Sequence, residues 1–255
     1  MKRMFYLISL ALILSQAPIG QTIGQSAVKD STIQFTFMSL GYTYFTPGGD
    51  LKDRFGSSSM ISGSLLFKRK SNFLFGVSGG VLFSDKVDDP TVLSIISTSN
   101  NQVIGTDGLF ADVRLFQRGY HVALTFGKII TFNKPNPNSG FIIMGGPGFL
   151  QHKIKIDNIS TSTPQLEDDY IKGYDHLTNG FELHEFIGFA FFGNKQLLNF
   201  IGGFEFIQGF TKNRRDYNFD TPGETEGDRL DLYYGVKLSW ALPFYKKRPD
   251  AFYYY

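Results

Sequence analysis

The feature that most constrains this chain is a two-residue alternation that recurs along it. Phe73, Phe75, Val77, Val81 and Phe83 share one face of a segment whose other face carries Asn72, Gly76, Ser78 and Gly80. Near the end of the chain, Leu232, Tyr234, Val236, Leu238, Trp240 and Leu242 alternate with Asp231, Tyr233, Gly235, Lys237 and Ser239. Phe204, Phe206 and Phe210 alternate in the same way with Gly203, Glu205 and Gly209. A period of two is the mark of a β-strand, in which successive side chains point to opposite sides of the sheet. Leu74, Leu82 and Ile207 depart from the pattern by landing on the small face.

The composition of the second face decides what kind of sheet this is. A soluble sandwich also alternates, but its outer face typically carries Thr, Lys and Glu. Glycine and serine interspersed with charges instead suit the crowded interior of a narrow barrel whose large apolar side chains face lipid. The chain is rich in both classes, with 16% aromatic residues and 28 glycines. Both are poor helix formers, which argues against a helical bundle. The fold expected is therefore all-β, a transmembrane antiparallel up-and-down β-barrel.

Connection lengths sharpen that expectation. Candidate strands run over about 33–45, 58–68, 72–84, 106–132, 140–156, 181–192, 197–211 and 229–244. Long connections (46–56, 85–105, 157–180 and 212–228) alternate with short ones near Lys70–Ser71, Asn133–Gly140 and Gly193–Gln196. Brief periplasmic turns and extended outer loops are the pattern of an outer-membrane barrel with an even strand number. The fourth strand is much longer than the roughly 9–11 residues needed to cross a bilayer. Its apolar phase shifts from odd positions (Val113, Leu115) to even ones (Tyr120, Val122, Leu124, Phe126). A β-bulge near Arg118–Gly119 accounts for the shift within eight strands; a turn at Gln117–Gly119 is the alternative and leads to ten. In the second loop, Asp89 and Pro90 before Thr91–Ser97 read as the cap and first residue of a short helix.

Three regions follow. Residues 1–20 have the layout of a signal peptide: Lys2 and Arg3, then the apolar run Met4–Leu14 broken only by Ser9, then Ser15, Gln16, Ala17 and Gly20. Cleavage falls between about 17 and 27. Residues 32–245 are the barrel, and 246–255 form a periplasmic tail ending in Phe252–Tyr255. Past the signal no apolar stretch reaches the roughly 18 residues of a transmembrane helix. The absence of cysteine removes any lipoprotein acylation site. The expected location is the bacterial outer membrane. The near-neutral net charge of +2 gives no argument for a nucleic-acid partner.

Several polar residues could carry chemistry. The four histidines are His121, His152, His176 and His184. A barrel esterase needs Ser, His and an acid in mutual reach at the outer rim. His184 lies between Glu182 and Glu185 without a neighbouring serine, and His152 lies among Gln151, Lys153 and Lys155. Ordinary hydrogen-bonded histidines at the rim or in the lumen are the favoured reading. Acidic groups occur at Asp85/Asp88/Asp89, Glu167/Asp168/Asp169 and Asp216/Asp220. The run Asp216–Asp220 opens like an EF-hand loop, but Thr221 replaces the turn glycine and Gly227 the bidentate Glu. Gly145-Gly146-Pro147-Gly148 lacks the Lys-Ser/Thr of a phosphate loop and reads as glycines that relieve crowding in a strand. No catalytic, cofactor-binding or metal residue is assigned, and no cofactor is expected.

Inside the barrel, Glu205 and Lys237 are expected to pair across neighbouring strands, because a low-dielectric lumen requires such charges to be matched. An eight-stranded barrel is about filled by its side chains, so bulk conduction is not expected. Basic clusters Lys68-Arg69-Lys70 and Lys246-Lys247-Arg248 fall on the periplasmic side, and Lys212, Arg214 and Arg215 open an outer loop where lipopolysaccharide phosphates lie.

Further stretches carry a family resemblance: Gly41-Tyr42-Thr43-Tyr44, Pro47-Gly48-Gly49-Asp50-Leu51, Arg54-Phe55-Gly56-Ser57, Pro135-Asn136-Pro137-Asn138-Ser139-Gly140, Leu150-Gln151-His152-Lys153, Gly173-Tyr174-Asp175, Leu177-Thr178-Asn179-Gly180 and Pro243-Phe244-Tyr245-Lys246. With these the chain resembles a family of small outer-membrane β-barrels of Bacteroidota-type bacteria. The resemblance implies location and fold and brings no activity, ligand or catalytic residue. Function is accordingly expected to be non-enzymatic: a structural or protein-interaction role, as an accessory subunit of a larger outer-membrane complex, with the aromatic tail as a docking segment. The expected partners are outer-membrane lipids, lipopolysaccharide and another envelope protein. A channel for small or hydrophobic solutes is the alternative, and a lipid-modifying barrel using His184 or His152 the second.

Overall fold

The computed structural model describes residues 31–245, apart from 101, 133–135, 160–162, 194–197 and 221–226. The signal-peptide reading of 1–20 and the tail at 246–255 lie outside the described residues. Eight antiparallel strands form a closed ring in sequence order: β1 (Phe35–Gly49), β2 (Ser58–Lys68), β3 (Phe73–Ser84), β4 (Val113–Thr131), β5 (Gly140–Asn158), β6 (Thr178–Phe192), β7 (Asn199–Asn213) and β8 (Arg229–Phe244). The ring closes where β1 pairs with β8, from Thr36↔Phe244 to Gly49↔Asp231. Closure leaves no strand edge unpaired, the condition for putting a sheet into lipid.

The pleat turns the sequence alternation into two surfaces. Met38, Leu40, Tyr42 and Tyr44 on β1, Val122, Leu124 and Phe126 on β4, and Val236, Leu238 and Trp240 on β8 all point outward and are exposed. Leu40 is 62% and Leu238 64% exposed, values that a water-facing wall would not tolerate across a contiguous belt. The apolar side of this sheet faces the surroundings, as in a transmembrane barrel.

The inward face holds glycines where large neighbours need space. A Cβ on Gly235 would meet the Phe45 ring at 2.5 Å, and one on Gly80 would meet the Met60 sulfur at 2.7 Å. Two apolar layers then cross the lumen. At the short-turn end lie Phe35, Phe37, Leu66, Leu74, Phe186 and Phe192, with the Phe35 and Phe192 rings edge-on at 5.2 Å. At the long-loop end lie Phe45, Met60, Leu82, Leu150, Ile207 and Tyr233, capped by Leu51, Phe55, Val92, Leu166 and Tyr174 from the loops. The residues that broke the alternation, Leu74, Leu82 and Ile207, are all fully buried members of these layers.

Two local expectations are corrected. β4 has no bulge and no turn: its register runs unbroken from Ser84↔Gln117 to Phe73↔Lys128 against β3, and in constant phase against β5 from Val113↔Asn158 to Thr131↔Gly140. Odd residues point inward throughout. Val113 and Leu115 pack against the loop-end core, whereas Arg114 stays exposed. The apolar phase inverts because the 19-residue strand outruns the apolar belt. Beyond the belt, water lies outside and packed loops lie inside. The segment Thr91–Ser97 forms successive tight turns rather than a helix, with Ser94 N–H donating to Thr91 O and Ile96 N–H to Leu93 O. Asp89 still caps it, accepting from the Thr91 amide at 2.9 Å. Val92 anchors the segment in the core, and that anchoring prevails over helical propensity.

Candidate functional site

Between the two apolar layers lies a charged one, built from inward positions of five strands. Glu205 on β7 is fully buried and receives three bonds: Lys237 Nζ at 2.6 Å, His184 Nε2 at 2.8 Å and Thr43 Oγ1 at 2.6 Å. The register places Lys237 opposite Gly203 on one side and Thr43 on the other, so its ammonium reaches the acid diagonally. Beside this cluster, His121 Nδ1 lies 2.9 Å from the buried Glu182, and the His121 and His184 rings are 5.4 Å apart. Gly148 makes room for Glu182, whose Oε1 would stand 2.6 Å from a Cβ at that position.

A second charged cluster sits within the loop-end core. Asp231 bonds His152 Nε2 at 2.9 Å and Thr211 Oγ1, with Arg229 at 3.4 Å. Phe55 packs edge-on against His152, and Gln117 donates to the buried Tyr233 hydroxyl at 2.9 Å. Toward the short-turn end a cavity of about 20 Å³ remains, lined by residues including Ser39, Ser78, Thr125 and Ser239. That is the room of roughly one water molecule.

The loops close the mouth with ion pairs. Arg215 grips Asp175 with Nε at 2.7 Å and a second bond from Nη2, while Lys153 reaches the same carboxylate at 3.4 Å. The bond to Asp175 raises the Arg215 pKa. His176 Nε2 meets Asp220 at 2.7 Å, and burial together with the nearby Asp220 charge pushes the Tyr174 phenol up.

The expected Glu205–Lys237 pair is thus present, with His184 and Thr43 added to it. His121, His152 and His184 are lumen residues and His176 lies in the loops at the mouth, each with a partner far away in sequence. Glu182, two residues from His184, serves His121 instead; Glu185 points outward. Asp220, expected as solvated loop charge, is instead buried against His176, and no group of three or more candidate metal ligands occurs among the described residues. The basic clusters are divided. Lys68 turns inward, fully buried, onto Asn138 Oδ1 at 2.9 Å and Ile33 O at 3.0 Å, while Arg69 and Lys70 remain exposed. Lys212 meets Asp228 at 2.7 Å and Arg214 bonds Asn179 Oδ1 at 2.7 Å. Lys246–Arg248 lie outside the described residues. Sequence reasoning missed Asp231 as the acid for His152. The available signal was an acid on the small, inward face, where every carboxylate requires a partner.

The strands and their lining define a small closed transmembrane β-barrel with a packed, charge-paired interior. No protein-family model matches the chain, and no curated protein is similar to it in sequence. Among solved structures, it is similar to Neisserial surface protein A (10% identity over 82% of this chain and 97% of that one, TM-score 0.41). It is similar also to the outer membrane protein OprG from Pseudomonas aeruginosa (10%, 84% and 99%, TM-score 0.36). A third is Ail, the attachment invasion locus protein of Yersinia pestis, in complex with the heparin analogue sucrose octasulfate (9%, 82% and 99%, TM-score 0.34). The eight-stranded ring itself is read from this chain's own hydrogen-bond ladder.

Proposed function

We propose that this chain is an outer-membrane barrel that works through its surfaces, as a structural or interaction protein and accessory subunit of a larger envelope assembly. The observation that carries the reading is the lumen, where two apolar layers enclose a charge-paired layer. A pore needs a continuous wet path, and these layers interpose side chains across it. His121, His152 and His184 are consumed by carboxylates in this packed interior, away from the rim where an acyl chain or headgroup arrives, and this supports a non-enzymatic role. The apolar belt, closed ring and alternation of short turns with long loops support an outer-membrane location, with short turns periplasmic and long loops outward.

The test has two parts. Density fractionation of the envelope should place the protein with outer-membrane markers; recovery in the soluble periplasm overturns the location. Purified protein in planar bilayers should give no conductance above bare lipid. Reproducible single-channel steps would overturn the surface reading in favour of solute passage.

A further inference from the structure

One carboxylate is on the wrong side of the wall. Glu185 is the central residue of β6 and points outward, between exposed Phe181 and Ile187 on its own strand and opposite Phe206 and Gly145 on its neighbours. Among the described residues it is met by Gln208, whose Nε2 donates to Oε2 at 3.3 Å. Around it the wall is hollowed into a largely apolar groove of about 880 Å³, lined by Phe75, Phe126, Ile143, Ile187 and Phe206, with Lys128 at its short-turn edge. Gly145 supplies no side chain there and Pro147, two residues on, gives no N–H to the β4–β5 ladder. Ionisable side chains at mid-membrane are costly and mark function.

We infer that this groove docks the lipid-facing wall of a second, different transmembrane β-barrel that presents a lysine or arginine at mid-depth to Glu185. The inference rests on the outer-membrane reading above and names the partner chemistry it left open. Charge complementarity selects the occupant. Lipid headgroups lie at the interfaces, and acyl chains offer no hydrogen-bond donor at the depth of Glu185. A second copy of this chain offers no cation there either. Copies inserted in one direction are related by an axis along the membrane normal, which preserves depth. Among the described residues, the outward-facing basic groups of the strands stand away from that level: Lys128, at the edge of the groove and in register with Ile143 and Ile187, lies toward the short turns, over the Phe73 ring, and Arg114, Arg118, Lys153, Lys155 and Lys212 lie near the loops. The groove supplies apolar contact, and the Glu185–Gln208 pair fixes register, the division found in interface cores and their charged anchors.

The absence of native cysteine makes the test clean. Ile143→Cys, at the groove, would carry a photo-crosslinker in the full chain in its own outer membrane, with Val236→Cys on another part of the wall as control. The expected result is a groove-specific crosslink to a β-barrel, mapped beside a lipid-facing Lys or Arg. Adding Glu185→Lys should cut its yield about tenfold or more, the loss from opposing like charges. Reversing the partner's basic residue to Glu should restore it. Heat-modifiable gel mobility verifies that each variant has assembled. An adduct of twice this chain's mass, adducts to lipid alone, or a crosslink indifferent to Glu185→Lys in an assembled barrel would each overturn the inference. Loss of outer-membrane fractionation would instead overturn the reading beneath it.

Discussion

Glu182 and Glu185 lie on the same strand, three residues apart, and live in opposite worlds. The first points into the lumen, is wholly buried, and is met by His121. The second points to lipid and is met by one amide at 3.3 Å. Glu205, one strand over, shows the limit of the first condition, with an ammonium, an imidazole and a hydroxyl on a single carboxylate. The comparison teaches that a carboxyl group inside a narrow barrel is a structural element answered within the chain. Glu185, on the outer wall within the apolar belt, is met among the described residues by an uncharged amide alone.

Substitutions should separate the two kinds of acid, beginning with the largest effect. Lys237→Met leaves Glu205 buried without its ammonium and should cost about 3–5 kcal/mol, measured by urea unfolding in lipid vesicles. Combining it with Glu205→Leu should recover most of that loss; a double variant no better than the single one would refute the pairing account. Gln117→Leu removes the donor to the buried Tyr233 hydroxyl and should cost about 1–3 kcal/mol by the same assay. Asp175→Asn weakens the two-pronged grip of Arg215 at the mouth. It should cost about 1 kcal/mol or less, because the site is partly solvated. Its clearer readout is faster protease nicking in the 159–177 and 214–228 loops, while the transmembrane strands stay protected.

The last substitution has the opposite sign. Glu185→Leu should stabilise the isolated barrel by about 1 kcal/mol, since it removes a carboxyl group from the apolar belt. A destabilisation of the isolated barrel by that change would place Glu185 among the structural acids and erase the distinction drawn between the walls.

Much of the barrel could be read from residues alone, for a physical reason. Pleat geometry ties side-chain direction to sequence parity, so Phe73, Phe75 and Val77 had to share a face opposite Gly76 and Ser78. The same parity put Glu205 and Lys237 inside. β4 misled where environment and parity parted. Val113 and Leu115 keep the inward parity of Gln117 and His121, but the medium on each side of the wall changes along the strand. An apolar residue therefore signals lipid in the belt and loop-packed core above it. A bulge was inferred from a change of solvent.

The pairing of histidines was less legible. His184 sits two residues from Glu182 and one from Glu185, yet its acid is Glu205, set by the β6–β7 register. His152 finds Asp231 across the lumen, from β5 to β8. Lumen contacts of this kind depend on barrel diameter and stagger, quantities that no local pattern encodes.

The sequence by itself determined the strand period, the small inward face and large outward one, and the alternation of brief turns with long loops. These follow from local backbone geometry and side-chain size. The sequence favoured eight strands over ten, and the closed ring has eight; tertiary structure alone decided which acid serves which histidine and that Glu185 stands in a groove at mid-wall. Those outcomes depend on the register of eight strands at once, because closing the ring brings together residues that the chain keeps far apart.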